Sequence, residues 1–151
     1  MATRVIGIGQ ASAGDDGVGY QVLDALERSP LPHGTELVRI HDASALVDLV
    51  LTDSAVIVVD AVLDPQRAGA VRSLDAQALD ASSPGSVSTH GLGVVQALEL
   101  ARVLHADRIA NNIRFVTVAI AAPRGYSHEL SAGVAAAVPE ARDHILEMLS
   151  T

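Results

Sequence analysis

Two hydrophobic periods alternate along the chain. Arg4 to Ile8 is a short β-branched run with Gly7 and Gly9 at its end, followed by polar Gln10 to Asp16, a pattern that predicts a strand and then a loop. Val18, Val22 and Leu26 recur at helical spacing with Gln21, Asp24 and Glu27 between them, which predicts an amphipathic helix from about Val18 to Arg28. Ser29-Pro30-Leu31-Pro32 ends it. Thr35 to Ile40 reads as a second strand and Ala45 to Leu51 as a short helix. Ala55 to Val59 is apolar without alternation, the pattern of a strand covered on both faces in a parallel sheet, and it is expected to stop at Asp60.

The second half continues the alternation. Val71 to Leu74 predicts a short strand at an edge, and Ala81 to Thr89, rich in Ser, Pro, Gly and Thr, a loop. Val94, Leu98 and Ala101 mark a helix whose wet side carries Gln96, Glu99 and Arg102. Ile113 to Ile120 is the last strand. Ser131 can cap a closing helix striped by Val138, Ala141, Ile145 and Leu149, in which Pro139 either starts a new helix or kinks the old one, having no amide donor. The expected fold is α/β: a single three-layer domain spanning 1–151, with a mostly parallel twisted sheet and helices on both faces. In such sheets ligands bind at the carboxyl ends of the strands, which directs attention to the loops after Ile8, Ile40, Val59 and Ile120.

Composition narrows the chemistry. The chain has 151 residues, enough for a substantial core, and 49% of them are hydrophobic, yet none of its apolar runs is long enough for a membrane span. The N-terminus enters the first strand without a basic region, apolar core and cleavage site, so a cytoplasmic location without membrane partners is expected. The net charge is −8, and the aromatic residues are only Tyr20, Phe115 and Tyr126, a surface ill suited to phosphate backbones or base stacking; no nucleic-acid partner is expected. There is no cysteine, which excludes disulfides, thiol nucleophiles and thiolate metal sites. Any metal must be held by carboxylates, imidazoles or backbone.

Three groups can carry chemistry. The glycine-rich stretch Gly7 to Gly19 invites a dinucleotide reading, but its glycines miss the G-x-G-x-x-G register, it has no lysine, and Asp15-Asp16 would face a phosphate with negative charge. Asp15 and Asp16 can cap the following helix; one aspartate suffices, leaving the second for a crevice. Asp60, at the end of an apolar strand, is solvated, a cap or a ligand. His90, in Ser88-Thr89-His90-Gly91-Leu92-Gly93, is a surface histidine beside a Thr89 cap or a functional imidazole. Taken together, Asp16, Asp60 and His90 lie in loops that the topology directs to one rim, and two carboxylates with one imidazole suit a divalent transition metal with open positions.

These residues carry a resemblance. Gly7-x-Gly9 with Asp15-Asp16-Gly17-Val18-Gly19, Asp42 after the second strand, Val58-Val59-Asp60-Ala61-Val62, Ser88 to Gly93, and Leu130-Ser131 with Val134 to Ala141 follow one another as in the hydrogenase maturation endopeptidases, which the chain resembles nearly end to end. The resemblance implies a protease that trims the C-terminus of a [NiFe] hydrogenase large-subunit precursor once nickel is in place. It implies a metal site at Asp16, Asp60 and His90, with Asp42 a further acid needed for activity. The nickel would be supplied by the substrate, other divalent cations being able to fill the site in isolation. Two departures bear on loop geometry and substrate choice: Gln10 stands where the family has asparagine, and Ala43-Ser44 where glycine-threonine is common. The rival expectations are a non-catalytic metal-dependent chaperone or scaffold and, less favoured on charge, a nucleotide-binding protein. His41, His105, His128 and His144 are expected to be ordinary, with His105 and His144 on solvated helix faces and His41 notable for its nearness to Asp42.

Overall fold

The strands assemble into one sheet in the computed structural model, which describes residues 2–9, 17–76, 93–121 and 130–150. Strands β1 (Thr3–Ile8), β2 (Thr35–Ile40), β3 (Ala55–Leu63), β4 (Val71–Asp75) and β5 (Ile113–Ile120) lie in the order β2-β1-β3-β5-β4. All neighbours are parallel except β4, which runs antiparallel to β5 at the edge. The helices are α1 (Val18–Glu27), α2 (Leu46–Leu49), α3 (Val94–Leu104) and α4 (Ala132–Leu149).

Two-residue alternation divides each central strand between two cores. Val5, Ile57, Val59, Val116, Val118 and Ile120 pack with Val22, Leu26, Ala141 and Ile145 of α1 and α4. Ile6, Ile8, Val56, Val58 and Phe115 pack with Leu46 of α2 and with Val94, Leu98 and Ala101 of α3. This is the expected three-layer architecture, and it explains why β1 and β3 read as unbroken apolar runs: both faces are covered. The wet side of α3 is likewise as expected, Gln96, Glu99 and Arg102 being exposed. Truncating a fully buried side chain such as Ile57 or Phe115 should cost about 2–5 kcal/mol.

Several elements depart from the sequence expectations. β3 does not stop at Asp60; it continues through Asp60, Ala61 and Val62 to Leu63, because β5 is long enough to pair with it to the end. The aspartate is therefore inside a strand. α1 has Gly17, not an aspartate, at its N-cap, and α3 starts from Gly93, four residues beyond Thr89. α4 runs without interruption through Pro139. The proline denies Ala135 its helical donor, but Ala135 and Pro139 are both exposed, so that carbonyl is open to solvent while Val134, Ala137, Ala141 and Ile145 hold the helix to the sheet. His105 caps α3 rather than lying within it, and His144 is not simply solvated: its Nδ1 lies 3.0 Å from the Ser73 hydroxyl.

Candidate functional site

The chain after β1 crosses through α1 to β2 on one side, and the chain after β2 crosses back to β3 on the other. Such a reversal opens a crevice beyond the carboxyl ends of the strands. The ends of β2, β1 and β3 are locked side by side there: Ile8 pairs with Ile40, Gly7 with Val59, and the Gly9 amide donates to the Ile40 carbonyl at 3.0 Å. Two candidate acids follow directly. Asp42 lies two residues beyond Ile40 and Asp60 one beyond Val59, so they flank the end of β1 from opposite sides.

Glycine allows the first turn of α1 to press on this edge. A Cβ on Gly19 would sit 2.6 Å from the Ile8 carbonyl oxygen and 3.1 Å from that of Val59, both backbone atoms that cannot swing aside. Gly7 makes the reciprocal concession, its missing Cβ falling 3.0 Å from the Gly19 oxygen. The function of these glycines is close helix-to-strand packing, not approach to a phosphate.

The two aspartates sit in unlike surroundings. Asp60 is 2% exposed, amid Val58, Val59 and Ala61, and its Oδ1 accepts from the Ala61 amide at 2.8 Å. A carboxylate is costly to bury, so its presence on a Val/Ile strand must be offset by its polar partners. Across the β3–β5 ladder it faces Thr117, 7% exposed. Asp42 is exposed and caps the 3₁₀ turn Ala43–Ala45, with Oδ1 accepting from the Ser44 amide at 2.9 Å. Ala43 is fully buried in this turn, and Ser44 engages Asp42 through its amide. The departure from glycine-threonine thus preserves a formed turn.

The loop 10–16 leaves β1 and rejoins the described chain at Gly17; Asp16 and the flanking Gln10 and Asp15 lie outside the described residues, as does His90. Among the described residues no group of three or more His, Asp or Glu side chains is arranged to hold a metal ion. The structure thus brings Asp42 and Asp60 to one edge. A polar pocket of about 240 Å³ lined by Asp75, Arg102, Asn111 and Asn112 lies at the opposite, amino-terminal edge, where β5 begins. Sequence reading passed over Thr117, whose signal was a lone hydroxyl between Val116 and Val118 in an otherwise apolar half-strand.

Comparison with known proteins decides the family. The model for hydrogenase maturation proteases matches residues 41–148. The chain belongs to that family. The match includes Asp42, Asp60 and His90 but begins after the loop holding Asp16. Among solved structures, the [NiFe] hydrogenase maturation protease HybD from Thermococcus kodakarensis is 20% identical with a TM-score of 0.76, 99% of each chain being covered. The hydrogenase maturating endopeptidase HybD from Escherichia coli is 23% identical with a TM-score of 0.73, covering 99% of this chain and 93% of that one. A hydrogenase 2 maturation peptidase from a Thaumarchaeota archaeon is 28% identical with a TM-score of 0.68, covering 99% and 98%. No curated protein sequence matches the chain. The family is one of proteases, so the chain is assigned to the hydrolases.

Proposed function

We propose that the protein is an endopeptidase that removes the C-terminal extension of a [NiFe] hydrogenase large-subunit precursor after nickel insertion, acting in the cytoplasm. Family membership supports the protease class, and the single observation that carries the site is Asp60, a carboxylate buried at the switch point of the sheet. Asp16, Asp60 and His90 are the residues we assign to nickel recognition, with Asp42 as the further catalytic acid. The donor set suits that role because two carboxylates and an imidazole can take open positions on a nickel ion held by the precursor and release it after cleavage, whereas a thiolate set would compete for the metal. The nickel is part of the substrate, so specificity follows from it: a precursor without metal offers the site nothing to grip.

Metal beside the scissile peptide supplies polarisation of its carbonyl. This chain's own groups do the rest. Water adds to the carbonyl carbon, an aspartate of the set takes the water's proton, and the C–N bond breaks as that proton passes to the leaving amine. The Ala61 amide donates to Asp60 Oδ1 and restrains that side of the carboxylate, which favours a defined approach of the substrate. A metal-dependent aspartyl mechanism is thereby distinguished from a serine mechanism, for which the G-x-S-x-G elbow is missing.

The test is to incubate the chain with nickel-loaded precursor and follow the intact masses. Loss of a C-terminal fragment is expected. A complex that forms without any change of mass would replace the endopeptidase reading by the non-catalytic scaffold.

A further inference from the structure

The only polar side chains among the described residues that fall within the buried core are Asp60 and Thr117, at 2% and 7% exposure. The β3–β5 register makes them direct partners. Strand alternation puts both on the face of Val58 and Phe115, under α2 and α3. Adjacent strands lie about 4.8 Å apart, so side chains on one face of a directly paired position can meet. Every other neighbour of Asp60 in the ladder is apolar: Ile8 ends the strand on its far side, and Phe115 and Ala119 stand before and after Thr117 on its own face.

Valine has the shape of threonine and would fill this place without a polar group to bury, as Val116 and Val118 do on the same strand. Among the described residues the only buried side-chain polar atom left without a partner is Arg114 Nε, so the Thr117 hydroxyl is not a stranded group in the resting fold.

We propose that Thr117 is a positioning residue for Asp60: its hydroxyl donates to the Asp60 carboxylate when that carboxylate takes up its ligand. A carboxylate that offers one oxygen to a metal swings unless the rest of it is held, and outer donors of this kind typically matter about 10–100-fold in metal affinity. Rotation about χ1 brings the threonine hydroxyl from one staggered position to another without moving the backbone. The inference rests on the reading of Asp60 as a ligand of the nickel-bearing precursor.

The experiment compares wild type, T117V and T117S by thermal unfolding, by calorimetric titration with Ni²⁺ alone, and by kinetics on nickel-loaded precursor. T117V should melt at or above the wild-type temperature, bind Ni²⁺ about 10-fold more weakly, and lose kcat more than it raises KM. T117S, which keeps the hydroxyl, should recover most of both. Unchanged Ni²⁺ affinity and kinetics in T117V, or a T117S as defective as T117V, would overturn the proposal. A rise in KM alone with unchanged Ni²⁺ affinity would also overturn it, assigning the hydroxyl to the precursor's peptide instead. Should wild type bind Ni²⁺ but cleave nothing, the endopeptidase reading fails while the Ni²⁺ titrations still judge Thr117; a wild type that does neither refutes both.

Discussion

The ends of β2 and β3 carry an aspartate each, at the same edge of the same sheet, and treat it in opposite ways. Asp42 follows its strand into a turn, lies exposed, and satisfies its carboxylate with the Ser44 amide. Asp60 never leaves its strand and is buried at 2% exposure, paired in the ladder with Thr117, the other buried polar residue among the described ones. The first arrangement is one that local folding favours by itself, since a capping aspartate stabilises the turn it begins. The second is one that folding alone opposes. The difference sets the tests: Asp60 is a carboxylate held within a buried strand and bonded to the Ala61 amide, whereas Asp42 caps an exposed turn and must be tested for a second role.

Substitutions sharpen the contrast, the largest effect first. Asp60→Asn should lower processing of nickel-loaded precursor by about 10²–10⁴-fold while the melting temperature holds or rises; retained turnover would remove Asp60 from the site. Gly19→Ala should destabilise by about 1–3 kcal/mol in denaturant unfolding, because a methyl group there meets the carbonyls of Ile8 and Val59. An unaltered midpoint would show that α1 can shift off the ends of β1 and β3. Asp42 separates its two roles by the choice of replacement. Asp42→Asn keeps an oxygen for the Ser44 amide and should preserve stability, yet lose activity if the carboxylate is catalytic; Asp42→Ala should in addition cost about 1 kcal/mol of stability through the lost cap. An asparagine variant with full turnover would reduce Asp42 to a turn residue.

The smallest effect concerns the strap that holds β2 against α1. Arg39 reaches Asp24 at 2.6 Å and Glu27 at 2.7 Å. Burial opposes its charge, but the hydrogen bonds to the two acids outweigh it and raise the guanidinium's pKa above the ordinary value. All three groups are substantially exposed, so Arg39→Ala should cost no more than about 1 kcal/mol, and less in high salt. A larger, salt-independent loss would mean that the β2 end depends on this pair more than its exposure suggests.

Much of the fold was legible because burial on two faces leaves an unmistakable trace. Ile113 to Ile120 and Thr35 to Ile40 form strands at their expected bounds, and Val94, Leu98 and Ala101 point α3 at the core. The extent of β3 was not legible. A charged residue after an apolar run reads as an end, and only the partner strand β5, whose length is set elsewhere in the chain, carries the pairing on to Leu63. The continuation of α4 past Pro139 was hidden for a similar reason: tertiary contacts on both sides of the proline outweigh its local preference. At the site, motif order pointed to the candidate acids but not to their burial, and the lone hydroxyl residue Thr117 is seen to pair with Asp60 in the ladder only once the register is known. Periodicity specifies a face; it does not specify a neighbour.

The central claim is that the Asp16, Asp60 and His90 set recognises the metal in the precursor. It is tested most directly by presenting one precursor in nickel-loaded and nickel-free forms to the same preparation and measuring the released C-terminal fragment by mass spectrometry. Cleavage of the loaded form alone is the expected result; equal cleavage of both forms would contradict it.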